Sequence, residues 1–95
     1  MESFIASIEI KMLDNSKVIK YYGTSDENKN YGLKITKLEN STEEKEIALI
    51  PKISMKKDVI NKLVNDIIEN NLDLDQIRYI VDDCIKKENE LKKIN

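Results

Sequence analysis

The spacing of apolar residues changes period once along this chain, and that change limits the folds open to it. From Phe4 to Met12 the even positions Phe4, Ala6, Ile8, Ile10 and Met12 are apolar, with Ser7, Glu9 and Lys11 between them. A period of two is that of a strand with one buried face. After Ser54 the apolar residues Val59, Ile60, Leu63, Val64, Ile67 and Ile68 recur at helical spacing. Strands followed by helices in one short chain define an α+β class.

Turn chemistry divides the first half. Asp14, Asn15 and Ser16 separate the first strand from "KVIKYY", because Asp and Asn bond their own backbone and tolerate left-handed conformations. Residues 23–30, "GTSDENKN", contain no apolar side chain and read as an exposed loop. Tyr31, Leu33 and Ile35 then alternate with Lys34 and Thr36, a turn at 40–42 follows, and "EEKEIALI" runs up to Pro51. Proline lacks a ladder donor, so it is expected to close the sheet. These boundaries predict strands over about 3–13, 17–22, 31–39 and 43–50, and helices over about 55–70 and 74–90. The simplest layout is a four-stranded antiparallel meander followed by a helical hairpin packed on one face of the sheet. At 95 residues the whole chain, 1–95, is expected to form one domain.

The helix ends are specified locally. Ser54 is the expected cap of the first helix, although Lys56 and Lys57 sit near its positive end. At its exit, Asn71 suits a left-handed C′ position, with Leu72 following as the apolar residue of a Schellman turn. Asp73 then caps the second helix, and Gln76 three residues later completes a capping box. This last pair opens "LDLDQIRYIVDDC", residues 72–84, which gathers four aspartates, the only arginine and the only cysteine. Helix geometry divides that cluster among ordinary tasks. Arg78, Asp82 and Lys86 fall four apart, as do Asp83 and Lys87, which offers surface ion pairs. Cys84 joins Leu74, Ile77, Val81 and Ile85 on the apolar stripe and reads as a small buried thiol.

What the chain lacks narrows its chemistry. It contains no histidine and one cysteine, which removes ordinary zinc sites and His-based triads. Its two glycines, Gly23 and Gly32, cannot assemble a phosphate-cradling loop. No calcium-loop spacing appears, and Glu43, Glu44 and Glu46 read as a solvated run beside a turn. No catalytic, metal or cofactor residues are therefore assigned, and an enzyme is not expected. A net charge of -2 gives no general attraction to nucleic acid or anionic membrane. Acids on the second helix would face phosphates if it entered a DNA groove. Tyr21, Tyr22, Tyr31 and Tyr79 lack a basic groove around them and are expected to pack in the core or at its rim. No apolar run approaches a membrane span, the N-terminal stretch does not read as a signal peptide, and the lone cysteine suits a reducing cytoplasm.

Some apolar residues remain unassigned to the core. Ile5, Val18, Tyr22, Leu38 and Ile50 fall in the phase opposite to the core-facing set, and Leu91 and Ile94 continue the second helix's stripe beyond Glu88. Such residues point to self-association or a protein partner. The leading expectation is a small cytoplasmic protein-interaction or regulatory protein without chemistry. The alternative is a phage or mobile-element inhibitor that presents Asp82, Asp83 and the acids at 43–46 to a basic target.

The segments "YGLKI", "KIS" and "NNLDLDQIRYIVDDCI" resemble a family of short proteins from clostridia and related Firmicutes, known only as a domain of unknown function. The resemblance spans about Tyr31 to Ile85, with Val81, Asp82 and Asp83 matching the family's Val-acid-Asp ending. Where the family pattern has a Pro at the first helical position, a His two residues later and an acid in midhelix, this chain has Leu74, Gln76 and Tyr79. Any role of that His could not operate here, and the resemblance transfers no activity, ligand or catalytic residue.

Overall fold

A computed structural model describes residues 2–11, 16–39 and 43–94, with the side chains of 10, 11 and 91–94 left out. The turn residues Asp14, Asn15 and 40–42, the core position assigned to Met12, and the side chains of Ile10, Leu91 and Ile94 lie outside what is described. Four strands come first: β1 (Glu2–Lys11), β2 (Ser16–Ser25), β3 (Tyr31–Glu39) and β4 (Glu44–Ser54). They pair antiparallel in the order β1-β2-β3-β4. Two helices follow, α1 (Lys57–Glu69) and α2 (Leu74–Ile94), and both pack on the sheet. The fold is thus the expected α+β meander with its helical pair.

Burial follows the alternation. Tyr21, Leu33, Ile35 and Ala48 occupy the covered face of the sheet, and α1 lays Ile60, Leu63, Val64 and Ile67 against it. α1 touches all four strands, whereas α2 contacts β4 and contributes Ile77 and Val81 to the core. Each Val, Leu or Ile side chain so buried is worth about 1.5 to 3 kcal/mol against exposure.

The edge strands depart from strict alternation while the central pair does not. β2 and β3 run in unbroken register from Lys17↔Glu39 to Ser25↔Tyr31. On β1, Phe4 pairs with Tyr22 but Ala6 pairs with Tyr21, so Ile5 is an extra, bulged residue. On β4, Ile35 opposes Ala48 but Thr36 opposes Glu46, which leaves Ile47 as the extra residue. A wider irregularity lies between the pairs Tyr31↔Ser54 and Leu33↔Ile50, where Gly32 faces Pro51 and Lys52 has φ 58°.

These bulges correct three expectations. Pro51 does not end the sheet, because the irregularity absorbs its missing donor and β4 continues to Ser54, burying Ile53. Ile5, expected on the opposite face, is half-buried and packed against the core, since the bulge turns Phe4 outward in its place. Ile50 also packs against the core, opposite Leu33 on the covered face.

The helix ends follow local chemistry. α1 begins at Lys57 with Lys56 as its N-cap and no side-chain cap bond. Ser54 does not cap it: its Oγ accepts the Lys56 N–H at 3.0 Å, two residues along, and so shapes the turn before the helix. At the exit Asn71 takes φ 52°, the Leu72 N–H reaches the Ile67 carbonyl at 3.1 Å and the Asn71 N–H reaches that of Ile68 at 3.2 Å. That bond pair is the Schellman pattern. Asp73 and Gln76 then exchange bonds, Gln76 N–H to Asp73 Oδ1 at 2.9 Å and Asp73 N–H to Gln76 Oε1 at 3.0 Å.

Candidate functional site

Because both helices lie on one side, the other face of the sheet carries no backbone layer among the described residues. One row of paired residues crosses all four strands there: Phe4, Tyr22, Lys34 and Leu49. Phe4 is 56% exposed and Leu49 52% exposed, which is high for large apolar side chains. The Phe4 and Tyr22 rings meet at 5.7 Å with a 54° tilt, an arrangement favoured by the ring quadrupoles. Lys34 Nζ stands 5.8 Å from the Tyr22 ring centre and binds both Glu2 carboxylate oxygens, at 2.9 and 3.1 Å. Its bond to Glu2 raises the Lys34 ammonium above its ordinary range.

A polar group joins this row. The Tyr22 hydroxyl donates to Glu44 Oε1 at 2.9 Å, and Lys20 Nζ approaches the same oxygen at 3.4 Å. Glu44 lies opposite Leu38 on β4, while Tyr22 lies opposite Lys34, so the phenol ring runs diagonally over the sheet toward Thr36. Thr36 is buried beside Tyr22 and Glu44, and its Oγ1 meets no partner in hydrogen-bond geometry among the described residues. The hydroxyl bond from Tyr22 is the main influence holding the Glu44 carboxyl below its usual range. Burial first, and then the Glu44 contact, push the Tyr22 hydroxyl up.

The residues expected at a partner surface divide between the two faces. Tyr22 stands at the centre of the uncovered face, and Val18 and Leu38 pair there as half-buried neighbours. Ile5 and Ile50 belong to the covered side, as described above. Asp82 lines a depression with Leu49 and Arg78, whereas Asp83 lines the groove between the helices and pairs with Lys87 at 3.1 Å. Arg78, Asp82 and Lys86 form no ion pair among the described residues. Sequence reasoning set Phe4 on the core-facing side and did not single out Leu49, although these are the two most exposed members of the row. Their signal was adjacency: "FI" at 4–5 and "ALI" at 48–50 are apolar runs that strict alternation does not allow.

Tyr79 is 77% exposed on α2, and Cys84 is half-buried with a thiol pushed up chiefly by burial. A raised thiol is a poor nucleophile at neutral pH. Among the described residues no three His, Cys, Asp or Glu side chains cluster as metal ligands, and no helix is long and apolar enough to cross a membrane.

Fold and surface together define a two-layer α+β protein whose helices cover one side of a four-stranded meander and leave an aromatic and aliphatic row on the other. The chain belongs to the DUF6514 family, a family of unknown function whose model matches residues 1–87. Neither a curated protein nor a solved structure matches it.

Proposed function

We propose that this is a non-catalytic protein-interaction or regulatory protein, cytoplasmic and from a clostridial or related Firmicute source, that binds another protein through the uncovered sheet face. The observation that carries the reading is the exposure of Phe4 and Leu49 in one row with Tyr22. An apolar row with a polar rim is the surface that partners dehydrate on binding. The lysines beside it are held by Glu2 and Glu44, so covering them strands fewer unpaired charges. The lone cysteine and the abundance of Lys, Asn and Ile support the compartment and source.

The test is a comparison of the native chain with Phe4→Lys, Leu49→Lys and the double variant as bait in a native lysate, with circular dichroism to establish folding. A specific protein retained by the native chain and lost with the double variant is expected. Equal retention by the folded double variant would reject the sheet face, and a native chain that retains nothing would reject the interaction reading. The acidic inhibitor reading has less support, because Tyr22 and Lys20 engage Glu44, Lys87 engages Asp83, and Asp82 lines a different border of α2.

A further inference from the structure

At the end of the sheet where β1 starts and β2 finishes, the covered face turns from large apolar residues to small and polar ones. Ser3 pairs with Gly23, Gly23 with Leu33, and one step further along Ser25 pairs with Tyr31. These positions are in phase with the buried Tyr21, Leu33 and Ile35, so they belong to the side that carries the helices. The start of α1 closes over them with Lys57, Ile60 and Asn61, and a cavity of about 300 Å3 is left between the layers. Gly23 keeps it open. The φ of Gly23 is not positive, so its backbone does not call for glycine, but a Cβ there would stand 3.2 Å from Ile5 Cδ1 and 3.5 Å from Ser3 Oγ in the cavity wall.

The wall combines an apolar base with groups that can donate. Ile60, 1% exposed, and Ile5, brought in by its bulge, supply the base. Ser3 and Tyr31 add hydroxyls, Asn61 an amide and Lys57 an ammonium, and none of these four side chains makes a hydrogen bond or ion pair with another described residue. Only Glu2 and Lys57 carry charge among the lining residues. The Glu2 carboxylate is held by Lys34 at 2.9 and 3.1 Å, whereas Lys57 is unpaired among the described residues. The cavity therefore presents one uncompensated cation beside neutral donors. An anionic group there gains charge-assisted hydrogen bonds, and an apolar remainder covers Ile5 and Ile60.

We propose that this cavity is a binding site for a small organic anion, a carboxylate or phosphate ester whose head meets Lys57 and whose apolar body lies on Ile5 and Ile60. Its volume sits at the small end of ligand sites, which favours a compact molecule. The cavity lies on the covered side of the sheet, so the proposal goes beyond the reading of the uncovered face and does not rest on it.

The test is an amide NMR titration of the full chain with benzoate and with phenyl phosphate, with benzamide as the uncharged counterpart. Either anion is expected to move the signals of Gly23, Lys57 and Asn61 saturably, and the one that binds more tightly identifies the head group. Lys57→Gln should raise the dissociation constant about tenfold, the cost of one charge-assisted contact. Lys57→Arg should restore binding, and Gly23→Val should block it by filling the space. Lys57→Gln exchanges an exposed side chain and removes a cation from the positive end of α1, so its fold is expected to persist, as circular dichroism will establish. Should Gly23→Val fail to fold, the Lys57 pair decides. The proposal is overturned if neither anion moves these signals at millimolar concentration, if benzamide binds as tightly as the anions, or if Lys57→Gln binds like the native chain.

Discussion

Asp73 and Gln76 satisfy each other's backbone amides at the start of α2, and the loop before them is only as long as the Schellman turn at Asn71 and Leu72 requires. Replacing Asp73 by Ala removes the acceptor of the Gln76 N–H, and urea denaturation should register a loss of about 0.5 to 2 kcal/mol. These caps were legible in the sequence because every atom involved lies within a few residues. Ser54 was misassigned by the same local logic, since a serine before an apolar run suits an N-cap and a turn equally. The Tyr22–Glu44 bond joins residues 22 positions apart, and no spacing rule announces it. It also has a pH signature. The Glu44 carboxyl is depressed in the folded chain, so its contribution is present above the ordinary carboxylate range and is lost as pH falls through the folded value. Tyr22 is raised, so its contribution is present below the ordinary tyrosine range and fades as pH climbs through the folded value. The thermal midpoint of Glu44→Gln should therefore fall below that of the native chain near neutrality, and the gap should close in acid. A gap that persists unchanged at low pH would assign the effect to something other than this carboxylate.

At the scale of elements, the order, direction and type of all six segments could be read from period and turn chemistry, because amphipathic spacing is imposed by burial on one side. Facing could not be read on the edge strands. One extra residue reverses the phase of everything beyond it, and the bulges at Ile5 and Ile47 and the irregularity at Pro51 are set by how β1 and β4 fit their neighbours. Hence Phe4, Ile5 and Ile50 were placed on the wrong face, and Leu49 was not singled out. Tyr22, Val18 and Leu38 lie on the regular central strands, and there alternation placed them on the uncovered face. The tightest of the three irregularities depends on Gly32. A Cβ at this position would stand 2.4 Å from the Ile50 carbonyl oxygen and 2.7 Å from Pro51 Cα, both backbone atoms with little freedom to move. Gly32→Ala should destabilise the chain by about 1 to 3 kcal/mol in chemical denaturation, the usual range for overpacking a filled site. A neutral outcome would mean that β4 can shift past Pro51 at little cost. Gly23 offers a control, since its nearest neighbour is the end of the Ile5 side chain at 3.2 Å, which can rotate away.

For the whole molecule, the two layers leave two surfaces with different chemistry. The sheet face is aromatic and aliphatic with Lys20 and Lys34 already engaged, and the helix groove is apolar with charges of both signs in its lining. Association through the sheet face depends on apolar contact, so added salt should leave it intact. The family match ends at residue 87, within α2, so the last turns of that helix, with Glu88, Glu90, Lys92 and Lys93, lie beyond the matched span.

The irregular outer strands have a consequence for the chain's behaviour in a crowded solution. A regular outer strand offers a row of unpaired amides and carbonyls on which another chain can extend the sheet, and repetition of that step grows a fibril. Here β1 is interrupted at Ile5, and β4 is broken twice, with a proline and a left-handed lysine in the second break. Neither outer strand is a straight template along its length. The departures that obscured the reading of the sequence also leave the two strand edges poor seeds for amyloid growth.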